Sequence, residues 1–584
     1  MRNSYFDAEL HFVQTEYGKQ PPFSGFLPAF AGPWGIPTWC NYNNRGQAIC
    51  SFGVQDKDHA ILEFIAASTA YRCTALTGFR TFLKQGGIVV EPFADGMGTM
   101  ILEPNALRLT WKNEQTSVEV VYFTLPNERM AGLCRRLRIQ NLSSAETVLE
   151  LLDGLATIVP YGVCDEKLKQ EPNLSTAWMR VEKAEEHLPC FGIRASMEDS
   201  TRVSEISGRN FRLAFAEDER LLPALVRPEL VFGWDTSLLR PVAFEQAPLS
   251  ALLHRQLVNE NFLPCCMTAW QGTLPVNGTV ELWEFYGQAN DEQELRAFCA
   301  KAQNKAFFEG KLTQGRALTE ALTAQVRCKT ADPIFDGYIS QTFLDNVMRG
   351  GFPYCLGSGQ DTLPVYLYSR KHGDPEREYN AFYLDRAYFS QGNANFRDIC
   401  QNRRSDTFFH PNAGQFNLQL FFELLQPDGY NPLVLEPVSY RAQHPEQLTW
   451  QLTEPYRKEA LELLSTPFTM GNLAMAAENW HLPDAAAFLA AVLGDSVMEP
   501  NAEFQAGYWS DHWTYLLDLL ESELAIYPEQ EAALLFGAAQ YRWFSAQADV
   551  LPQTQRYCQT ERGLRQYHCV APRTNEKKWV TAQD

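Results

Sequence analysis

The stretch Leu107-Arg-Leu-Thr-Trp-Lys112 alternates apolar and polar side chains. A polar segment, residues 113–117, follows it, and the alternation then resumes from Val118 to Tyr122. Alternation with a period of two is typical of a strand with one buried face, and the polar interruption is typical of a turn. The pattern therefore predicts an antiparallel hairpin.

Similar short segments, separated by Gly, Pro and Asn, continue towards residue 288. We expect them to form a large antiparallel β-sandwich over residues 1–288. The pattern changes at Asn290, which together with Gln293 is typical of a capping box at a helix N-terminus. Residues 289–330 are therefore interpreted as a helical linker.

The remaining residues, 331–584, are interpreted as a mostly helical catalytic domain with long loops. The loop over residues 351–412 is long for a compact domain, and loops of that length are usually either functional or misread. Asp332-Pro333 is typical of a helix start, because Asp caps free N–H groups and Pro fits the first turn. About eight helices are predicted in this region. They include residues 332–348, 413–425, 444–464, 484–494, 510–526 and 529–545.

The chain has 584 residues, which is enough for several domains, and a net charge of −20. A strongly acidic protein is a poor partner for nucleic acid or for an anionic membrane.

The N-terminus lacks the apolar segment of a signal peptide, and no apolar run is long enough for a membrane span. The 14 cysteines show no metal-ligand spacing. We therefore expect no metal site, free thiols and a cytoplasmic location.

The stretch Gly507-Tyr-Trp-Ser-Asp-His-Trp513 places one carboxylate, Asp511, among aromatic residues. Aromatic faces stack on the C–H faces of a sugar ring, and fixed carboxylates accept its hydroxyl groups. Crowding by Trp509 and Trp513 disfavours a charged carboxyl, which favours a protonated Asp511 that acts as an acid. The alternative is an ordinary first-turn acid that complements the helix dipole.

A second candidate lies in the Gly/Asn-rich stretch that ends at Asp398. Asn395, Arg397 and Asp398 offer amide, guanidinium and carboxylate groups that suit the recognition of sugar hydroxyls. A local ion pair in a cluster of Asx turns explains the same residues equally well. Arg370, in a charge-dense stretch, is a candidate contact for an anion or a substrate, or else part of a solvated loop.

The order of these features resembles the inverting β-glucoside phosphorylases. These are the cellobiose phosphorylase group, glycoside hydrolase family 94, and the related β-1,3-glucan phosphorylases. The resemblance covers the whole chain in architecture but only short motifs in residues. In that family a Trp-x-Asp motif supplies the general acid, and an upstream Phe-Arg-Asp motif holds hydroxyls of the transferred sugar. Trp509-Ser-Asp511 and Phe396-Arg397-Asp398 are similar, which implies those roles for Asp511 and Asp398.

The resemblance implies a galactose-mutarotase-like β-sandwich, a helical linker and a partial (α/α)6 toroid. It also implies a carbohydrate-active enzyme that converts a β-linked gluco-oligosaccharide and inorganic phosphate, without a cofactor, into a sugar 1-phosphate. By analogy with the family, a homodimer is expected. The family's Arg six residues before the Phe-Arg-Asp aspartate is Gly392 here. The predicted helices are too few for six helical hairpins, so a C-terminal truncation is expected. A glycoside hydrolase and a non-catalytic glycan-binding protein are the alternatives.

Overall fold

The computed structural model describes residues 3–198, 201–202, 204–255, 257–357, 363–370, 381–504, 509–537, 542–574 and 578–581. The chain divides into two compact units. The described residues of the first unit fall within 1–342 and 373–386, and those of the second fall within 343–372 and 387–584.

The first unit consists mainly of antiparallel strands. Its strands are β1 (Ser4–Phe6), β2 (Phe12–Gln14), β3 (Ser24–Phe26), β4 (Trp39–Asn43), β5 (Ile49–Gly53), β6 (Ala60–Leu62), β7 (Phe79–Gln85), β8 (Ile88–Val90), β9 (Thr99–Leu102), β10 (Leu107–Lys112), β11 (Thr116–Thr124), β12 (Gly132–Asn141), β13 (Thr147–Leu155), β14 (Met179–Glu182), β15 (Cys190–Ile193), β16 (Arg209–Phe215), β17 (Ala224–Leu225), β18 (Cys266–Leu274) and β19 (Thr279–Ala289). Its helices are α1 (Ala67–Ala70), α2 (Thr74–Thr77), α3 (Asp165–Gln170), α4 (Pro172–Thr176), α5 (Glu229–Phe232), α6 (Val242–Gln246), α7 (Leu249–Leu253), α8 (Glu292–Ala302) and α9 (Lys305–Thr323).

These strands form three sheets. A ten-stranded sheet has the order β1-β2-β9-β10-β11-β12-β19-β16-β15-β14, a five-stranded sheet has the order β17-β18-β13-β7-β8, and a four-stranded sheet has the order β3-β4-β5-β6. The predicted hairpin is confirmed as β10 and β11, in which Leu107 pairs with Tyr122 and Trp111 pairs with Val118. The prediction of large antiparallel sheets in this half is confirmed, and a galactose-mutarotase-like topology stays a prediction.

The apolar faces of these sheets share one core. Leu109 and Val120 of the ten-stranded sheet, Leu83 and Leu151 of the five-stranded sheet and Phe52 of the four-stranded sheet belong to the same buried cluster. Burial of each such side chain contributes roughly 1.5–3 kcal/mol relative to exposure. The period-two pattern of the sequence therefore has its physical cause in this shared core.

A buried ion-pair network lies inside the same core. Arg135 of β12 donates from Nη2 to Asp153 Oδ1 at 3.0 Å, and its Nη1 lies 3.4 Å from Glu284 Oε2 on β19. All three side chains are fully buried. Arg135 belongs to the ten-stranded sheet and Asp153 to the five-stranded sheet, so this ion pair joins the two sheets. Removal of either partner would leave a buried charge without compensation.

The predicted linker helices are present as α8 and α9. The capping box lies one residue later than predicted, because Asp291 has the extended backbone of an N-cap. Its Oδ1 accepts a hydrogen bond from Glu294 N at 2.8 Å, and Glu294 Oε2 accepts one from Asn290 N at 2.7 Å. Phe298 of α8 packs on Phe285 of β19, with ring centroids 4.7 Å apart, so the helices cover one face of the ten-stranded sheet.

The second unit mixes helices with short strands. Helix α10 (Pro333–Gly350) begins in the first unit and ends in the second. The other helices are α11 (Phe396–Arg403), α12 (Asp406–Phe409), α13 (Phe416–Glu423), α14 (Pro445–Thr449), α15 (Tyr456–Leu464), α16 (Met470–Asn479), α17 (Ala485–Gly494), α18 (His512–Ile526) and α19 (Glu531–Phe536). The strands are β20 (Phe352–Leu356), β21 (Leu363–Leu367), β22 (Ala394–Asn395), β23 (Val434–Ala442), β24 (Ser496–Glu503), β25 (Arg542–Ser545), β26 (Ala548–Val550), β27 (Tyr557–Thr560), β28 (Gly563–Gln566), β29 (Val570–Pro572) and β30 (Lys578–Thr581).

Several predicted helices are confirmed, namely α10, α13, α17 and α18. The helix predicted over 444–464 is two helices, because Pro455, which lacks an N–H group, starts α15 after a break. The helix predicted over 529–545 is wrong beyond Phe536, where Gly537 ends α19 and residues 542–545 form β25, paired with β30. The partial toroid stays a prediction.

The region 351–412 was predicted as a long loop, and this is wrong. It contains β20, β21, β22, α11 and α12 among its described residues. Strands β20 and β21 form an antiparallel hairpin, and β22 joins the three-stranded sheet β22-β23-β24. These strands have only two to five residues, which is too short for a clear period in the sequence.

The pH dependence of stability tests the buried network of the first unit. Burial, followed by the nearby Asp153 carboxylate, raises the pKa of Glu284 from 4.5 to about 7. The folded state therefore holds a proton that the unfolded state releases. The associated stabilisation is complete below about pH 4.5 and is lost as the pH rises through about 7.

We predict that Glu284→Gln removes this pH dependence, because glutamine does not titrate. The difference in unfolding free energy between wild type and variant should change by as much as about 3 kcal/mol, in favour of the variant, between pH 5 and pH 8. Urea denaturation at both pH values measures this change. An equal difference at the two pH values would show that Glu284 does not titrate in this window.

Candidate functional site

The N-terminus of α11 carries the Phe-Arg-Asp motif. Asn395 is the N-cap, and its Nδ2 donates to Asp398 Oδ2 at 3.0 Å. Arg397 Nε donates to the other oxygen, Oδ1, at 3.2 Å. Asp398 is buried and lies in the first turn, where the helix dipole stabilises a negative charge. Both oxygens of this carboxylate are therefore held in place.

The N-terminus of α18 carries the Trp-Ser-Asp motif. Asp511 is the N-cap, and its backbone carbonyl accepts a hydrogen bond from Thr514 N at 3.0 Å. Its side chain is 47% exposed, and Trp509 and Trp513 are 54% and 39% exposed. The prediction that two tryptophans enclose this carboxyl is therefore wrong. The helix turns His512 inward instead and leaves the other three side chains at the surface.

One aromatic contact packs α11 against α18. The rings of Phe396 and His512 are stacked, with centroids 5.3 Å apart and planes inclined by 19°. Phe421 of α13 meets the same Phe396 edge-on at 5.2 Å. Burial lowers the pKa of His512, so its ring is neutral near pH 7 and suits a buried stack. This contact brings the two motifs together.

The two helices run parallel. Arg397 Nη1 of α11 lies 3.7 Å from Asp511 Oδ2, Cys400 Sγ contacts the Tyr515 carbonyl at 3.3 Å, and Arg404 Nη1 lies 3.1 Å from Asp518 Oδ2. These contacts advance in the same direction along both helices. The N-termini therefore lie at the same end, and the positive ends of both helix dipoles meet there.

Arg397 lies between the two acids and forms with Asp398 and Asp511 what we call the Arg397 cluster. The hydrogen bond with Asp398 raises the pKa of Arg397, which stays charged. The cluster has two acidic groups and one cation, and Arg397 itself is 46% exposed. Carboxylate oxygens and guanidinium N–H groups are thus available together at the surface.

A tight turn supports the tryptophans. Asn431 Nδ2 donates to the Trp509 carbonyl at 3.3 Å. Gly429 has a positive φ of 90°, and a Cβ atom there would lie 3.6 Å from Trp513 Nε1. Glycine suits this position because it adopts positive φ without strain. The turn holds the backbone of one tryptophan and packs beside the ring of the other.

Arg370 takes part in a different cluster. It donates to Asp345 of α10, which also forms an ion pair with Arg349. The charge-dense stretch that follows Arg370 lies outside the described residues. That stretch contains further candidates for contact with an anion or a substrate, namely Lys371, His372, Glu376, Arg377 and Glu378. Gly507 and Tyr508 of the aromatic stretch are also outside the described residues.

A cleft lies at the other end of α11. We call it the Arg403 cleft. The residues that line it include Tyr366, Tyr368, Gln391, Arg403, Glu436 and Tyr440. Sequence reasoning identified the Gln391-Gly392 part and missed the rest. The available signal was the stretch from Leu363 to Tyr368, in which period-two alternation places both tyrosines on one face.

A buried carboxyl group supports the wall of this cleft. Tyr366 donates its hydroxyl to Asp406 Oδ2 at 2.6 Å, and Asn417 Nδ2 donates to the same oxygen at 3.1 Å. Burial raises the pKa of Asp406 to about 6. These hydrogen bonds fix the Tyr366 ring against the helices that follow α11.

No model of a known protein family matches the sequence, and the search of curated proteins gives no match. The solved structures that resemble the chain include a polysaccharide lyase, with 9% identity, a TM-score of 0.25 and coverage of 45% of this chain and 34% of the other. A protein from the human microbiome, provisionally named a kojibiose phosphorylase, has 8% identity, a TM-score of 0.29 and coverage of 74% and 52%. A bacterial glucoamylase complexed with acarbose has 8% identity, a TM-score of 0.35 and coverage of 82% and 66%.

The chain thus spans between about a third and two thirds of the length of these proteins. At these TM-scores the likenesses establish neither a shared fold nor a shared activity.

Within the described residues, no helix is long and apolar enough to cross a membrane. Across the same residues, no group of three or more His, Cys, Asp and Glu side chains is arranged to hold a metal ion.

The contact between α11 and α18 predicts a large effect for Phe396→Ala. Loss of a fully buried phenyl ring that touches two other rings should reduce the unfolding free energy by about 3–5 kcal/mol. Phe408→Ala is the matched control, because this ring is 52% exposed, and it should change stability by less than about 0.5 kcal/mol. Chemical denaturation of both variants gives the comparison. Similar small effects would show that the stack does not hold the helices together.

Proposed function

We propose that the protein is a carbohydrate-active enzyme whose sugar site is the Arg397 cluster with Trp509 and Trp513. The observation that supports this best is the meeting of two separate motifs at the parallel N-termini of α11 and α18, with Arg397 within 3.7 Å of both acids. Fixed carboxylates beside exposed indole rings are the groups that bind sugars.

Each residue has a role in this proposal. Asp398 is buried and held by two donors, so it presents a fixed acceptor to the hydroxyl groups of the transferred sugar. Arg397 and Asn395 place N–H donors next to it. Trp509 and Trp513 offer exposed indole faces for stacking on sugar rings. A sugar that lies across these rings would cover Asp511 and exclude water from its carboxyl group.

The proposed reaction is inverting phosphorolysis of a β-linked gluco-oligosaccharide. Protonated Asp511 donates its proton to the glycosidic oxygen as the bond from that oxygen to the anomeric carbon breaks. Inorganic phosphate attacks the anomeric carbon from the opposite face, which yields a sugar 1-phosphate and a shortened sugar. Asp511 then regains a proton from solvent. Since phosphate is already a nucleophile, one protein carboxyl group suffices and no cofactor takes part.

The two converging helix N-termini support the use of phosphate. They place positive dipole ends, with Arg397, at the same end of the helix pair as the proposed acid. A chain with net charge −20 needs such a local positive field to attract an anion. A cytoplasmic location and a homodimer remain parts of this proposal, since a phosphorylated product is retained inside a cell.

A second candidate function is glycan binding without catalysis. The observation that favours it is the 47% exposure of Asp511. An exposed acid suits hydrogen bonding to a sugar as well as it suits proton donation. Turnover measurements separate the two functions. A glycoside hydrolase would release reducing sugar without phosphate, and the phosphorylase would require phosphate.

We predict that Asp511→Asn lowers the release of phosphate from glucose 1-phosphate and an acceptor by 10²- to 10⁴-fold, the usual contribution of a general acid. The acceptors to assay are β-1,3- and β-1,4-linked gluco-oligosaccharides. Asp518→Asn is the matched control, because Asp518 lies on the same helix and pairs with Arg404. It should keep near-normal turnover. Near-normal turnover in Asp511→Asn would refute the role of this acid, and sugar binding without any turnover in wild type would favour the glycan-binding alternative.

We predict that Trp509→Ala and Trp513→Ala each weaken the binding of a gluco-oligosaccharide on the order of tenfold, because each removes a stacking surface. Trp450→Ala is the matched control in the same unit, since this indole is 63% exposed and lies at the end of α14. Isothermal titration calorimetry gives the three affinities. Equal affinities in all three variants would place the sugar site elsewhere.

A further inference from the structure

The described residues between 542 and 581 form one long antiparallel ribbon in the second unit. The strand pairs β25 with β30, β26 with β29 and β27 with β28 are nested around a single turn. Between the last two pairs, Leu551 N donates to the Cys569 carbonyl at 2.9 Å. Tyr567 N donates to the Arg556 carbonyl at 2.7 Å. The strand pairing therefore continues from the base of the ribbon towards its tip.

The base of the ribbon is fixed to the body of the second unit. Ala546 N donates to Gln426 Oε1 at 2.6 Å. The rings of Phe544 and Phe504 are stacked, with centroids 5.3 Å apart. Ala546 is also buried in one cluster with Tyr430. These contacts hold the ribbon where it leaves the body of the unit, so its outer part is presented in a defined position.

The outer part of the ribbon, residues 551–569, is half-buried or exposed throughout, and we call it the arm. Tyr557, Leu564 and Tyr567 of the arm are 41%, 60% and 70% exposed. A two-stranded hairpin without a core is only marginally stable by itself in water. Apolar side chains grouped on such a segment are typical of a surface that another molecule covers.

The arm is basic although the chain is acidic. It contains the three arginines Arg556, Arg562 and Arg565 and one acid, Glu561, which gives it a net charge of +2. The whole chain carries −20, so the residues outside the arm carry −22. Within the described residues, Arg562 and Arg565 form no ion pair. Their charges are therefore open to a partner.

The end of α18 together with α19 has the complementary character, and we call residues 521–536 the acidic face. Its exposed acids are Glu521, Glu529 and Glu531. None of these three acids forms an ion pair with a described residue. Its exposed apolar residues are Ile526, Leu535 and Phe536, of which Phe536 is 84% exposed. Negative charge and apolar surface thus lie together here, as positive charge and apolar surface do on the arm.

We propose that the arm of one copy docks on the acidic face of a second copy, and that the same contact in return forms a two-fold symmetric dimer. The arginines of the arm lie against the glutamates of the face, and the apolar side chains of both surfaces are covered together. A second copy is the partner that the charges favour, because one chain carries both surfaces and no ion pair among its described residues joins them. This interface specifies the homodimer of the proposed function and uses no residue of the Arg397 cluster.

Sedimentation velocity of the full chain tests this interface. Wild type should form a dimer, and its dissociation constant should rise roughly tenfold when the NaCl concentration increases from about 0.05 M to about 0.5 M, because salt screens exposed charges. Wild type that stays monomeric at low salt, at every concentration that the measurement reaches, would overturn the proposal.

Two charge-reversed variants make the test specific. Arg562→Glu/Arg565→Glu reverses the arm, and Glu529→Lys/Glu531→Lys reverses the face. Each variant alone places like charges opposite each other, so each should be monomeric where wild type is dimeric. An equal mixture of the two variants should regain the dimer, because each arm then meets a face of opposite charge. A variant that had merely unfolded could not recover in this way.

Arg457→Glu/Lys458→Glu on α15 is the matched control. It makes the same change in net charge at another exposed site as the reversal of the arm does, and it should leave the dimer intact. Asp511→Asn should also stay dimeric, so a failure of the proposed activity does not affect this result. A dimer in both reversed variants would overturn the proposal, and monomers that do not recover in the mixture would assign the arm to a partner other than a second copy.

Discussion

The stack of Phe396 on His512 is the contact on which the geometry of the second unit's candidate site depends. It holds α11 and α18 side by side and parallel, and it therefore sets both N-termini at one end. In this arrangement Arg397 lies within 3.7 Å of both Asp398 and Asp511. The dipoles of both helices then act in the same direction, which favours an additional anion at that end. Packing of two uncharged rings thus determines the electrostatics of the charged groups beside them.

In the first unit, charged side chains have a structural role in the core. Arg135, Asp153 and Glu284 are fully buried, and they join the sheets of the sandwich instead of meeting a ligand. Such a network stabilises little in comparison with apolar side chains of the same size, because desolvation offsets the attraction. Separation of Arg135 from Asp153 would leave both charges buried and unpaired. The partial protonation of Glu284 near neutral pH is the electrostatic consequence of placing two acids near one arginine.

The spacing of apolar residues and the residue types at turns and helix ends were sufficient to predict the hairpin at Leu107, the linker helices and helices α10, α17 and α18. These elements are long enough for the periodic spacing of their apolar residues to be recognised in the sequence. The same reasoning failed for the short strands β20 to β22 and for residues 542–545, where pairing partners distant in sequence decide the conformation. It brought Asp398 and Asp511 forward as candidates by residue type. It could not give the exposure of Asp511 or the burial of Arg403, because burial is set by tertiary packing and not by spacing.

Helix α11 places two chemically different groups at its two ends. Asp398 in the first turn and Arg403 at the last residue are five positions apart, which corresponds to about 7.5 Å along the axis and about 140° around it. They therefore open on different faces of the helix. Helix α11 contacts α18 not only through the stack of Phe396 on His512 but also through Cys400 and Arg404, so the two helices are joined along the whole of α11. A movement at the Arg403 end would therefore be resisted at every turn before it reached Asp398.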